Sequence, residues 1–221
     1  MEKRKHIVIL AAGGLPTHHV PLRALHEADM VVCCDSAYDD WNQENGDWKA
    51  TIPYVVIGDG DSLTAADKHT LGDRWIEVSE QDYNDLHKAM EYATKQFTIH
   101  NSQFTILGAT GRREDHTLGN ISYLVTFAEE HPGADIEMLT DYGRFVSMTG
   151  SRTFACFPRQ QVSIFTMNPD KPIYSTGLRW PLDGFHARRW WQASLNEALG
   201  TEFSLRTEGH LVVFRTYEPK S

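Results

Sequence analysis

The chain is 221 residues long, enough for one large domain or two smaller ones and for a core that needs no covalent staple. Its formal charge of −9, from 21 Lys+Arg against 30 Asp+Glu, argues against a protein that coats nucleic acid through bulk charge. The mean hydropathy is −0.43, and no apolar run approaches the ~20 residues of a membrane-spanning helix.

The basic start Lys3-Arg4-Lys5 leads into an apolar stretch at 7–12 only. That is shorter than the apolar core of about 7–15 residues in a secretory signal, so the expected location is the cytoplasm. Three cysteines, Cys33, Cys34 and Cys156, form no Cys-x-x-Cys pair. They read as reduced, buried small hydrophobes.

Taken in chain order, strands are expected at 6–12, 30–35, 54–57, 75–78, 103–107 and 136–139. Several are unbroken Val/Ile/Leu runs, as parallel strands buried on both faces require. Helical periodicity falls between them, at 21–29, at 83–97 with Leu86, Met90, Ala93 and Phe97, and at 118–129 with Leu118, Ile121, Leu124, Val125 and Ala128. Alternation of this kind predicts an α/β domain with a mostly parallel sheet flanked by helices, Rossmann-like in class. After Gly143 only short strand-like runs remain, at 145–148, 152–157, 162–167 and 211–216, punctuated by Gly150, Pro158, Asn168-Pro169, Gly184 and Gly209. The expected organisation is an α/β domain over 1–144 and a small all-β, sandwich-like domain over 145–221. Charge divides at nearly the same place, with a net −12 over 1–145 and +3 over the remainder. An acidic part that holds metal and a basic part that faces an anion is one reading of that division, and ordinary surface scatter is the other.

Five strand-to-helix junctions carry polar residues of chemical interest. Gly58-Asp59-Gly60-Asp61-Ser62 follows the third strand, with Asp59 and Asp61 spaced to share a face. Two close carboxylates repel unless a cation lies between them, and hard oxygens suit Mg²⁺. A polar turn with Asp61 or Ser62 capping the next helix is the simpler alternative. Asp82-Tyr83-Asn84-Asp85-Leu86-His87-Lys88 opens the long helix. Here Asp82 is the expected N-cap with Asp85 at N3, and Asp85 and Lys88 share a face. Gly108-Ala109-Thr110-Gly111-Arg112-Arg113-Glu114-Asp115-His116 combines glycines, arginines and a helix start, which suits phosphate, and its helix carries Asn120. Gly13-Gly14 after the first strand and Asp35 after the second are weaker signals. Trp190-Trp191 is expected in the core, with an interface patch as the alternative.

The first three clusters, in this order, resemble the thiamine pyrophosphokinase family. That family carries Gly-Asp-x-Asp-Ser, then Asp-x-Thr-Asp with a lysine three residues on, then Gly-Gly-Arg-x-Asp-His and a downstream asparagine. Gly13-Gly14, Asp35, the segment Gly177-Leu178-Arg179-Trp180-Pro181-Leu182 and Ser194-Leu195-Asn196-Glu197 extend the resemblance along nearly the whole chain. Departures are Asn84 for threonine, Arg112 for the second glycine, Ser36-Ala37 after Asp35 for Gly-Gly, and Ala193-Ser194-Leu195-Asn196 for Ser-Thr-Ser-Asn.

The resemblance implies pyrophosphoryl transfer from ATP to the hydroxyl of thiamine, giving thiamine diphosphate and AMP. It implies Mg²⁺ on Asp59, Asp61 and Asp85 with Asp82 in support, and Lys88 and Arg113 on phosphates. Asp115 and His116 would orient the hydroxyl or close the phosphate pocket. Gly13, Gly14, Asp35, Gly58, Ser62, Gly111, Arg112 and Asn120 would receive ATP. Trp180, Ser194 and Asn196 would meet thiamine at the interface of a homodimer. Competing readings are a Mg²⁺-dependent phosphohydrolase and a non-catalytic module that binds thiamine or nucleotide. Neither a nucleic-acid nor a membrane partner is expected.

Overall fold

A computed structural model describes residues 3–44 and 46–219. They fall into two compact units: the chain up to Tyr123 with His131–Asp141, and Leu124–Glu130 with Tyr142 onward.

The first unit is a parallel sheet of β1 (Lys5–Leu10), β2 (Met30–Cys34), β3 (Tyr54–Gly58), β4 (Trp75–Glu77), β5 (Ser102–Leu107) and β6 (Asp135–Leu139), in the spatial order β6-β5-β1-β2-β3-β4. Every neighbouring pair is parallel, with Ile7 opposite both Met30 and Phe104. Ile7, Val8, Ile9, Val31, Val32, Val56, Phe104 and Ile106 are wholly buried, which explains the unbroken apolar runs.

The helices are α1 (His19–His26), α2 (Tyr38–Gln43), α3 (Ala65–Leu71), α4 (Asp85–Gln96) and α5 (Glu114–Glu130), the last ending in the second unit. α4 lays Leu86, Ala89, Met90 and Ala93 on β1, β2 and β3. The N-cap of α4 is Asn84, whose Oδ1 accepts from His87 N at 3.0 Å, so the expected cap Asp82 is displaced by two residues. α3 has its own capping box, Thr64 with Asp67, which removes the need for Asp61 or Ser62 as a cap. α5 starts four residues before the apolar stripe predicts. Glu114 and Asp115 fill its first turn, where negative charge suits the helix dipole.

The second unit is antiparallel. β7 (Gly143–Ala155), β8 (Gln160–Thr166), β9 (Ile173–Thr176) and β10 (Asn196–Glu197) arrange around β11 (Glu202–Pro219). β11 pairs with β7, β8 and β9, and β10 pairs with β8. The two strands expected at 145–148 and 152–157 are one. Gly150 adopts φ +70° without ending β7, because the register shift between Thr207 and Leu211 on β11 takes up the irregularity as a bulge. Phe154, Ile164, Phe203, Leu205, Leu211 and Val213 form the core of this unit. Trp190 and Trp191 are 51% and 72% exposed, so the expectation that they are core is wrong. Among the described residues no helix is long and apolar enough to cross a membrane.

Candidate active site

The strand order places a switch in the first unit. The chain runs outward from β1 to β4, then returns to the other side of β1 with β5 and β6. Ligands in open parallel sheets bind beyond the carboxyl ends of the strands at such a switch. The expected polar clusters all follow carboxyl ends: Gly13-Gly14 after β1, Asp35 after β2, Asp59 and Asp61 after β3, Asp82 to Lys88 after β4, and Gly111 to His116 after β5.

Close backbone contact joins the two central loops. Gly13 N donates to Gly108 O at 2.5 Å, and a Cβ on Gly13 would stand 2.2 Å from Thr110 O. Only glycine fits that approach. A cleft of about 290 Å³ opens here, lined by Gly13, Ser36, Asn84, Asp85, Thr110, Arg112, Arg113, His116 and Asn120.

The carboxylates crowd beside it. Oxygens of Asp35, Asp59 and Asp61 lie within 4.8 Å of one another. Asp35 is buried, and its Oδ1 accepts from Ser36 N and its Oδ2 from Gly60 N at 2.6 and 2.9 Å. Gly58 makes room for it, since a Cβ there would meet Asp35 Cγ at 2.4 Å. Burial, and then the charge of Asp85, push the Asp35 carboxyl up to about 6 despite those two hydrogen bonds. Asp61 N donates to Asp59 Oδ1 at 3.1 Å, and Ser62 Oγ to Asp61 Oδ1 at 3.0 Å. Gln81, outside every motif, donates Nε2 to Asp59 Oδ2 at 2.8 Å. This bond, with the Asp61 N–H, holds the half-buried Asp59 carboxyl below its ordinary value. Lys88 is buried, with Nζ 3.2 Å from Asp85 Oδ1. Asp85 thus stands behind the converging trio, shared between Lys88 and Asp35. Asp82 is exposed and its side chain accepts no hydrogen bond among the described residues, while its backbone N–H donates to Glu80.

A compact trio of hard oxygens, one of them costly to keep charged when buried, suits a small divalent cation better than an empty polar turn. The donor set fits Mg²⁺.

The remaining expected residues divide by what holds them. Arg113 donates Nε and Nη2 to the two oxygens of Asp115, at 3.1 and 2.5 Å, and Asp115 Oδ1 also accepts from His116 N. Asp115 is therefore committed to its own loop, while His116 lines the cleft. Asn120 is buried and structural in its bonding: Nδ2 donates to Ala109 O and Oδ1 accepts from Asn84 Nδ2, tying the β5 loop to the start of α4. Asn84, in the place of the usual threonine, thus caps α4 and braces the third loop at once. Asp141, at the end of β6, accepts from Thr17 N, Thr17 Oγ1 and His18 N and fixes the chain beyond Gly14.

In the second unit Trp180 is 51% exposed and clasped by Asn196. Trp180 N donates to Asn196 Oδ1 at 3.1 Å, and Asn196 Nδ2 donates to Trp180 O at 2.7 Å. The buried amide is spent on posing the indole, which also takes the Arg179 guanidinium 5.4 Å from its ring centroid. Ser194 Oγ turns back to Trp191 O. Leu195 between them has φ +58° and is 67% exposed, with its N–H held by Ser163 Oγ. A leucine in the left-handed region costs of order 1–2 kcal/mol, and such outliers gather at binding segments.

Comparison with known proteins gives one consistent answer. The family model described as thiamin pyrophosphokinase, catalytic domain, matches residues 22–137, and the one described as thiamin pyrophosphokinase, substrate-binding domain, matches 143–214. Thiamine pyrophosphokinase 3 of Oryza sativa subsp. japonica is 30% identical over 144 residues, 59% of this chain and 52% of the relative. Thiamin pyrophosphokinase 1 of Caenorhabditis elegans is 30% identical over 80 residues, 35% and 32% of the two chains. The matched stretch thus spans about half the length of the rice relative and about a third of the nematode one. The fold is that of thiamin pyrophosphokinase from Candida albicans, with a TM-score of 0.79 at 18% identity over 97% of this chain and 90% of that one. Thiamine pyrophosphokinase from Bacillus subtilis gives 0.73 at 19%, over 96% and 99%.

Proposed function

The chain belongs to the thiamin pyrophosphokinase family, and from that premise we propose that it transfers the pyrophosphoryl group of ATP to the hydroxyl of thiamine. The products are thiamine diphosphate and AMP. The observation that carries the reading is the convergence of Asp35, Asp59 and Asp61 beside a cleft walled by Arg112, Arg113 and His116, at the switch of a parallel sheet.

In this reading Asp35, Asp59 and Asp61 hold Mg²⁺. When bound, the ion draws charge from the polyphosphate and leaves the β-phosphorus open to attack. Asp85 and Lys88 keep the set in order, with Lys88 limiting the repulsion among four carboxylates. Gly13 and Gly111 let backbone N–H groups approach phosphate oxygens, and Arg112 and Arg113 add positive charge there. The thiamine hydroxyl oxygen bonds to the β-phosphorus, the bond from that phosphorus to the α–β bridging oxygen breaks, and AMP leaves with the electron pair. His116 takes up the hydroxyl proton. Trp180, posed by Asn196, offers a face to the cationic ring or the pyrimidine of thiamine. The exposed Trp190, Trp191, Leu195 and Leu199 suit coverage by a second copy, consistent with a homodimer whose interface holds thiamine.

Chromatography of the nucleotides tests the reading. With ATP and Mg²⁺, AMP is expected only when thiamine is present, and in equal amount to thiamine diphosphate. Phosphate release without thiamine would replace this reading by hydrolysis.

A further inference from the structure

Arg112 makes a contact that none of the motifs explains. It follows Gly111 in the loop after β5, and its Nη2 donates to Oδ1 and Oδ2 of Asp40 at 3.2 and 2.9 Å. Asp40 lies on α2, 72 residues away in the chain and a few residues past Asp35 and Ser36. The pair therefore ties the loop after β5 to the helix that follows Asp35 and Ser36, of which Ser36 lines the cleft and Asp35 belongs to the trio.

The two neighbouring arginines are held differently. Arg113 gives both arms of its fork to Asp115 within its own loop. Arg112 gives a single nitrogen to Asp40, and its Nε and Nη1 have no hydrogen-bond partner among the described residues. A guanidinium carries five N–H donors, so most of those on Arg112 stay available beside the cleft. Its side chain is 56% exposed and that of Asp40 27%. An ion pair this open adds little to stability. Its consequence is positional. A long arginine loses much rotamer freedom when it grips a ligand, and an anchor that has already fixed the side chain removes most of that cost from binding.

We propose that Asp40 is a positioning residue for nucleotide binding. It anchors Arg112 through Nη2 and leaves Nε and Nη1 for the polyphosphate oxygens of ATP. The proposal rests on the function proposed above and adds a residue outside its motifs. One effect opposes it, since Asp40 itself repels a polyphosphate. That repulsion acts through solvent and is screened over about 8 Å at physiological salt, whereas the anchor acts at contact distance. The anchor is expected to win.

The test is a double-mutant cycle on the full chain with Asp40→Asn, Arg112→Gly and the two combined. ATP binding is read by calorimetry with Mg²⁺ and no thiamine, and the steady-state constants are read with thiamine. Asp40→Asn is expected to weaken ATP binding and raise its KM by about three- to tenfold, with kcat and the KM for thiamine changed less than about twofold. In the Arg112→Gly background it should add nothing further. Unchanged or tighter ATP binding in Asp40→Asn would overturn the proposal, and so would an equal loss in the Arg112→Gly background. A wild-type chain that binds no ATP would instead overturn the functional reading, and this inference with it.

Discussion

The two units expose opposite things. The first crowds charge: Asp35, Asp59 and Asp61 converge, with Asp85 behind them and one buried lysine among them. The second shows apolar rings to solvent, with Trp180, Trp190 and Trp191 each at least half exposed over a well-packed strand core. Each unit breaks the ordinary packing rules where it is proposed to act. Like charges are tolerated where a cation is proposed to sit, and rings are left uncovered where a ligand or a second copy is proposed to cover them. Each exception is also held in place by hydrogen bonds to neutral groups. Gly60 and Ser36 N–H groups pin Asp35, and the Asn196 amide pins Trp180.

The largest effects are expected at the acidic cluster. Asp61→Asn is expected to lower turnover by roughly 10²–10⁴-fold while leaving the melting temperature unchanged or raised, since one repelling charge is gone. Near-wild-type rates at saturating Mg²⁺ would remove Asp61 from the site. Lys88→Met should reduce stability by roughly 2–4 kcal/mol, because Asp85 then faces Asp35 with no buried cation beside it. Denaturant unfolding reads that loss directly. Gly58→Ala should cost roughly 1–3 kcal/mol by driving Asp35 from its seat, and activity should fall with it.

The second unit should separate function from stability in a different way. Trp180→Ala is expected to raise the KM for thiamine by about tenfold with little change in melting temperature, as befits a half-exposed ring. Asn196→Ala should instead destabilise by roughly 1–3 kcal/mol, since it leaves Trp180 N and O unpaired. If the two variants behaved alike, the division between a ring that binds and an amide that poses it would fail.

The smallest expected effect concerns pH and lies far from either exception. Burial holds the His6 imidazole below its ordinary 6.5, against hydrogen-bonding and acidic neighbours that push it up. The unfolded chain then binds the proton more readily than the folded one. The stability this group contributes is full above pH 6.5 and falls as pH drops through the lowered folded value. His6→Gln should flatten the slope of unfolding free energy as pH falls below 6.5.

The parts legible in the sequence are those where one strong local rule acts. Continuous apolar runs announce the parallel strands, and carboxylates or glycines directly after them announce the loops that bear the site. What stays hidden depends on partners far along the chain. Nothing local links Asp40 to Arg112 or Gln81 to Asp59. Asp35 reads as a weak signal because its seat is made by Gly58 and Gly60 on the next strand's loop. α2 and α3 are too short and polar to show a stripe, and α3 depends on its Thr64–Asp67 cap. The length of β7 is masked by its exposed polar stretch at 149–153, which hydrogen bonds to β11 carry across Gly150. Exposure of Trp190 and Trp191 runs against every propensity, and so reads as core until the neighbours are known.

Both terminal phosphates of ATP are expected to move together onto thiamine. ATP labelled in its β-phosphate tests this most directly, with purified chain, Mg²⁺ and thiamine. The label is expected in thiamine diphosphate, with AMP as the unlabelled nucleotide product. Label retained in ADP would mean transfer of the γ-phosphoryl group alone, and label in free phosphate or pyrophosphate would mean hydrolysis. Either result would contradict that joint transfer.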